Sequence, residues 1–179
     1  MCMHNAANDG FNINVTNGST APLLKFTNVA GDNAGSNGFI LTATDPNVTL
    51  AGTNVTLATF QGAGNNGVEI DIANQLTPTS VTLNQVNADN AGNRGVLVDI
   101  NNVTGGQTTI NLDQVNGNNA GGDDGLEVNV TGLLATDSVL MSLTNSSFNN
   151  AANEGVDLNF DGAAGSTATL TVNNLAANA

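Results

Sequence analysis

The stretch NAGNRGVLVDI at residues 90–100 decides the fold. A run of Asn, Ala and Gly, poor in helix-forming residues, leads to Gly95 and then to strict alternation. Val96, Val98 and Ile100 point to one side, and Leu97 and Asp99 to the other. Period-two alternation over five residues specifies a strand with one buried face. The stretch recurs as NAANDGFNINV from 5, NAGSNGFILTA from 33, GAGNNGVEIDI from 62, NAGGDDGLEVNV from 119 and NAANEGVDLNF from 150. The closing glycines of the six copies, Gly10, Gly38, Gly67, Gly95, Gly125 and Gly155, lie 28–30 residues apart.

A second alternating run follows each first one: LKFTNV (24–29), VTLATF (55–60), VTLNQV (81–86), INLDQV (110–115), MSLTNS (141–146) and LTVNNL (170–175). Its inward pairs are Leu24/Phe26, Val55/Leu57, Val81/Leu83, Ile110/Leu112, Met141/Leu143 and Leu170/Val172. In the second copy the segment DPNVTLAGTN (45–54) reads as a long loop, and Leu76, Val103 and Leu133 mark a short third strand. No window has helical apolar spacing with caps. An antiparallel sandwich does not explain a constant period with the same role at the same phase. A coil that returns on itself does, because each strand then lies about 4.8 Å from its counterpart in the next copy. The expectation is an all-β chain, one domain over 1–179, forming a parallel β-helix (β-solenoid) of six rungs of 28–30 residues, about 29 Å long.

Composition narrows the function. The chain has 179 residues, 40% hydrophobic but 3% aromatic, and only 9% charged. Two basic residues stand against fifteen acidic ones, for a formal net charge of −13. Two cations cannot neutralise a row of phosphates, which excludes nucleic acid, and the same deficit excludes an anionic membrane surface. No apolar run is long enough for membrane insertion. Cys2 is the single cysteine and cannot close an internal disulfide.

The unit N-A-G/A-N-x-G followed by two alternating runs resembles the parallel β-helix repeats of the pectin-lyase-like superfamily, over essentially the whole chain. The resemblance implies a right-handed coil, the usual hand of parallel crossovers. It specifies architecture more than activity, since the superfamily spans lyases, hydrolases, tailspikes and surface adhesins.

At the corners, the closing glycine is expected to take a positive φ. The Ala of each copy (Ala6, Ala34, Ala63, Ala91, Ala120, Ala151) is a small inward residue. The Asn before it (Asn5, Asn33, Asn90, Asn119, Asn150) forms a stacked amide ladder, broken where the third copy has Gly62.

The outward positions of the first run make two columns. One is Asn12, Ile40, Glu69, Leu97, Glu127, Asp157; the other is Asn14, Thr42, Asp71, Asp99, Asn129, Asn159. Glu69, Asp71, Asp99, Glu127 and Asp157 therefore line one face. Such hard oxygen ligands suit calcium, although no cofactor is required, and a solvated acidic face that keeps the sheet soluble is the competing reading. Asp9, Asp123, Asp124 and Glu154 cluster at the neighbouring corner. GGDDGLEV (121–128) resembles a calcium-binding nonapeptide, but it occurs once and the period here is not nine. Arg94 is placed beside Asp71 and Asp99 as a charge pair, and His4 at an open end.

The second run presents Asn54, Ser80, Thr109, Leu140, Thr169 and Thr56, Thr82, Asn111, Ser142, Thr171 outward. An ice-binding face needs a nearly unbroken T-x-T array, and only Thr169/Thr171 is a strict copy. The sequons at Asn14, Asn17, Asn47, Asn54, Asn102, Asn129 and Asn145 follow from the alternation itself. A lyase of this architecture needs basic residues for acidic sugar, and Arg94 stands alone. A hydrolase needs two carboxylates; Asp71 and Asp99 would be about 5 Å apart, with no aromatic platform beside them.

The expectation is a non-enzymatic structural or adhesive segment of a larger extracellular or cell-surface repeat protein of bacterial type. A polysaccharide-active enzyme or a glycan-binding β-helix is the alternative, and an ice-binding solenoid the second. Expected partners are neighbouring repeats or identical chains stacked end to end, and a surface glycan or protein. The chain opens in mid-pattern at MCMHNAAN and ends in phase at Asn178-Ala179, as a segment of a longer array would.

Overall fold

The computed structural model describes residues 1–15, 23–44, 47–51, 58–73, 78–104 and 106–179. In chain order the strands are β1 (Phe11–Val15), β2 (Leu23–Thr27), β3 (Phe39–Thr44), β4 (Asn47–Ala51) and β5 (Ala58–Thr59). Then come β6 (Val68–Ala73), β7 (Thr79–Asn87), β8 (Val96–Asn101), β9 (Gln107–Asn116) and β10 (Leu126–Leu133). The last are β11 (Ser138–Thr144), β12 (Ser147–Asn149), β13 (Val156–Gly162), β14 (Thr167–Asn173) and β15 (Ala176–Asn178). Among the described residues there is no helix.

The first sheet runs β1-β3-β6-β8-β10-β13, and the second runs β2-β4-β7-β9-β11-β14, all pairs parallel. The chain is thus an all-β solenoid of about five turns, close to the six rungs expected. The register stacks like on like. Ile13 lies on Leu41, Leu41 on Ile70, Ile70 on Val98, Val98 on Val128 and Val128 on Leu158. Between the sheets sits a dry core in which Phe39, Leu41, Ile70, Ile72, Leu83, Ile100, Ile110 and Leu126 are fully buried. Burial of that order stabilises by roughly 1.5–3 kcal/mol for each large side chain.

Three sequence expectations are corrected. The strand that stacks between β2 and β7 is β4: Leu24 pairs with Val48 and Val48 with Val81, while Phe26 pairs with Leu50 and Leu50 with Leu83. The supposed loop 45–54 therefore holds the strand, and Thr49 stands in register between Lys25 and Thr82. The tetrapeptide NVTL occurs at both 47–50 and 54–57, so alternation alone permits either register. Val55, Thr56, Leu57 and Asn54, like Leu76 and Asn17, lie outside the described residues.

The third side of the coil is not built from Val103 and Leu133. Val103 is buried and Leu133 ends β10, opposite Gly162. The third side consists of Cys2, Ala30, β5, the tail of β7, the end of β9, β12 and β15. Among the described residues the chain reaches it through a left-handed residue in five of the copies: Asn28, Gln85, Gln114, Asn145 and Asn174, with φ of 50–55°. One αL residue breaks the pleat and redirects the strand, and Asn tolerates that conformation best among non-glycine residues.

The closing glycines do not have positive φ; the left-handed corner residues are Asn5, Asn33, Asn90, Asn119, Asn150 and Gly62. The glycines are required by close approach instead. A Cβ on Gly125 would lie 2.7 Å from the Gly155 carbonyl oxygen and 2.7 Å from Phe148 Cβ, and one on Gly67 would lie 2.6 Å from Ala88 Cβ. The third side packs directly onto this column. Gly125→Ala is therefore expected to destabilise by about 1–3 kcal/mol through overpacking. Gly106, at φ 95° with nothing within 4 Å of a Cβ placed there, should lose the backbone term alone on the same change. Urea denaturation of the two variants checks this, and a Gly125→Ala loss below about 1 kcal/mol would remove the steric account.

Along the third side the inward column reads Met3, Gly31, Phe60, Ala88, Gly117, Phe148, Ala177 from rung to rung. Each Phe has a small residue above and below it. A Cβ on Gly117 would come 3.0 Å from the Phe148 ring, and one on Gly31 would come 3.2 Å from that of Phe60. The rings fill the space that their glycine neighbours leave, which keeps density high with few aromatics.

Candidate functional site

Outside the core, polar side chains at fixed phase reach along the axis. The amide ladder is present where Asn119 Nδ2 donates to Asn90 Oδ1 at 3.1 Å and Asn150 Nδ2 to Asn119 Oδ1 at 3.2 Å. At Gly62 it is interrupted, and a Cβ there would lie 2.6 Å from Asn33 Oδ1. Two further columns were not recognised in the sequence. In one, the side-chain oxygen of an Asp or Asn before a closing glycine accepts the backbone N–H one rung on, at four of the copies. Asp9 takes that of Asn37 at 3.0 Å, Asn37 that of Asn66 at 3.1 Å, Asn66 that of Arg94 at 3.2 Å and Asp124 that of Glu154 at 2.9 Å. In the other, Asp32 accepts from Gln61 N–H at 3.0 Å, Asp89 from Asn118 N–H at 2.8 Å and Asn118 from Asn149 N–H at 2.9 Å. Asn178 Nδ2 then donates to Asn149 Oδ1 at 2.8 Å. The signal was an Asp or Asn at constant offset from Gly and from the ladder Asn.

The acidic face has the expected register. Asp71 pairs with Asp99 and Glu127 with Asp157, whereas Glu69 is separated from Glu127 by Leu97. The five carboxylates share a face but do not converge. Burial, then the Asp71 charge and more weakly Glu127, push the Asp99 carboxyl above the usual carboxylate range. Glu69 accepts from Asn66 Nδ2 at 2.9 Å, and Glu127 from Asn129 Nδ2 at 2.7 Å.

Arg94 is not the partner of Asp71 and Asp99. Its Nε is paired with Glu127 and its Nη2 with Asp123, both on the following rung. The reason is position. Arg94 precedes Gly95, so it borders the first outward column; Asp71 and Asp99 lie in the second, two residues or about 6.6 Å further along the strand. The fifth copy also carries one extra residue at this corner, which adds Asp123. Oxygens of Asp123, Asp124 and Glu127 lie within 4.8 Å of one another. Asp124 is buried and already bonded to the Glu154 N–H. The Glu154 carboxyl is pushed up, first by its hydrogen bond to Asp124, then by slight desolvation and the charges of Asp124, Asp157 and Asp123. His4 Nδ1 is 3.5 Å from Asp32 Oδ2 at the first rung.

On the second sheet, the outward columns are Ser80, Thr109, Leu140, Thr169 and Thr82, Asn111, Ser142, Thr171. Leu140 and Asn111 interrupt the hydroxyl array. Asp113, beside it, is held below the usual carboxylate range by donation from Asn145 Nδ2 and Thr144 Oγ1. Comparison of the chain with protein-family models, curated proteins and solved structures finds no match.

Proposed function

We propose that this chain is a structural or adhesive solenoid segment of an extracellular or cell-surface repeat protein, of the right-handed kind found in the pectin-lyase-like superfamily. The observation that carries this reading is the use of the polar side chains. Corner Asn and Asp residues spend their hydrogen bonds on the adjacent rung, stiffening the coil along its axis. A rod that is polar, acidic and held by repeated neighbour contacts serves as a spacer or display surface.

The test combines two measurements. Antibody labelling of intact source cells should reach the protein without permeabilisation. Assays on polygalacturonate, alginate and neutral glucans should stay at background. Labelling only after permeabilisation would remove the extracellular reading. A carbohydrate-active reading is favoured by one observation, the Asp71–Asp99 stack with its raised Asp99; cleavage lost in Asp71→Asn or Asp99→Asn would establish it over the structural one.

The proposed calcium face is tested by melting. Calcium bound to the native state at Asp71 and Asp99 would raise Tm progressively with calcium concentration, the stabilisation growing as RT ln(1 + c/Kd) at free concentration c, by the linkage of ligand binding to folding. Asp99→Asn should abolish that rise, and identical melting in millimolar calcium and in chelator leaves the columns as solvated carboxylates.

A further inference from the structure

The dipeptide Asn-Gly occurs inside the solenoid at Asn37-Gly38, Asn66-Gly67 and Asn116-Gly117. A further copy, Asn17-Gly18, lies outside the described residues. Glycine leaves its amide nitrogen unshielded by a side chain and its backbone free to turn, so that nitrogen can reach the side-chain amide carbon of the Asn before it. We propose that Asn37, Asn66 and Asn116 are deamidation sites, each held closed by the rung that follows it and modified only when that rung opens.

The chemistry needs water alone. At the first site the Gly38 nitrogen attacks Asn37 Cγ. The N–Cγ bond forms, the Gly38 N–H proton passes to solvent, the Cγ–Nδ2 bond breaks, and Nδ2 takes up a proton and leaves as ammonia. Nothing is oxidised or reduced. Water then opens the cyclic imide. Attack at Cγ restores the main chain with aspartate at 37. Attack at the backbone carbonyl of residue 37 leaves isoaspartate, with the main chain running through Cβ and Cγ.

The closed rung restrains both reacting groups. The attacking nitrogens are engaged along the axis: Gly38 N–H donates to the Asn66 carbonyl, Gly67 N–H to the Arg94 carbonyl and Gly117 N–H to the Ser147 carbonyl, each at 3.0 Å. The side-chain amides are engaged in the same direction. Asn37 Oδ1 accepts from Asn66 N–H at 3.1 Å and from Asn65 Nδ2 at 3.0 Å. Asn66 Oδ1 accepts from Arg94 N–H at 3.2 Å, and its Nδ2 donates to Glu69 Oε2 at 2.9 Å. Asn116 Oδ1 accepts from Ser147 Oγ at 2.9 Å. An amide anchored to the next rung cannot turn back onto its own glycine. Water is also kept out, since Asn37 is 6% and Asn66 3% exposed.

The two products differ in what the fold can accept. At the same phase Asp9 already accepts the Asn37 N–H and Asp124 that of Glu154, so an aspartate serves this column as an asparagine does. Isoaspartate lengthens the backbone of a path fixed at strand spacing. A Cβ on Gly38 would lie 2.7 Å from the Gly67 carbonyl oxygen and from Phe60 Cβ, so the corner has no room for the extra atom. Opening of a rung is thereby recorded as a covalent change. The inference does not depend on the structural or adhesive reading, because an enzyme with this column would age in the same way.

The test holds the whole chain at mildly alkaline pH, in native buffer and in urea above its unfolding transition. Cleavage after Asp and Glu puts the three sites on separate peptides, bounded by Asp32, Asp45, Glu69, Asp113 and Asp123, and mass spectrometry follows amide loss at each. Loss in native buffer should be at least about tenfold slower than in urea at all three sites, because only the opened fraction reacts. Two cavities then separate local from global opening. Phe148→Ala removes the ring beside Gly117 and should speed loss at Asn116 more than at Asn37. Phe60→Ala removes the ring of the residue packed on Gly38 and should do the reverse. Where a variant does not fold, the parent comparison decides alone. Equal rates in buffer and in urea overturn the inference. So does equal acceleration at all three sites in both variants, which would assign the reaction to global unfolding rather than to a rung.

Discussion

Phe148→Ala is expected to lower the free energy of unfolding by about 3–5 kcal/mol, the largest single-residue loss in the chain. Phe148 is fully buried on the third side; its ring occupies space left by Gly117, and its Cβ lies against Gly125. The cost of such a cavity depends on whether its walls can collapse. Here they cannot, because the walls are backbone. Gly117 N–H donates to the Ser147 carbonyl at 3.0 Å, and Gly125 N–H to the Glu154 carbonyl at 3.0 Å, fixing the rungs at strand spacing on both sides. Phe160→Ala is the control: its ring is only partly covered at the last rung, and its loss should be clearly smaller. Chemical denaturation measures both. A Phe148→Ala loss below about 1 kcal/mol would mean that the rungs relax inward and that the glycine–phenylalanine pairing does not set the packing.

That pairing also shows how far the sequence could be read. Period and alternation carry the first sheet completely and the second sheet in every copy but the second: the register Phe39–Val68–Val96–Leu126 follows from the repeat unit without any tertiary information. They carry the acidic columns too, since Asp71 meets Asp99 and Glu127 meets Asp157 wherever the first runs stack in phase. They fail where the backbone leaves the pleat. Gln85 and Asn145 look like outward strand residues, and nothing local marks them as left-handed corners that begin a third side. Glycine permits positive φ, so local pattern points to Gly95 and its equivalents as the left-handed residues. The residue that adopts it is Asn90, and Gly95 is needed because Gly117 and Gly125 press against it from neighbouring segments. A steric demand that comes from residues 22 and 30 positions away leaves no trace in local pattern. The second copy fails for a different reason: a duplicated NVTL offers two strands of equal alternation, and only stacking on β2 and β7 selects the first.

Arg94 lies at the point where the repeat pattern was least informative, and its removal has a distinctive pH signature. The guanidinium holds Glu127 and Asp123 on a corner that also carries Asp124, Glu154 and Asp157. The pair is half-buried, with side chains 24% exposed for Arg94 and 15% for Glu127. Its loss should fall between that of an exposed pair and that of a buried one, at about 2 kcal/mol near neutral pH. In Arg94→Met that corner keeps its carboxylates and loses their cation, so the loss should be largest at neutral pH, where acidic groups carry charge, and smaller in acid. A folded-state pKa raised above its unfolded value gives stability that is full below the unfolded pKa and is lost as pH rises through the folded one. Asp99 follows this rule in the parent, because burial and then the Asp71 charge push its carboxyl up. Asp99→Asn removes that cost and should stabilise the protein at neutral pH while leaving it unchanged below pH 4. Thermal melts of the parent and both variants from about pH 3.5 to 8 check the two signs together. A constant difference for Arg94→Met across that range would show that the arginine acts through packing of its aliphatic stem rather than through its charge.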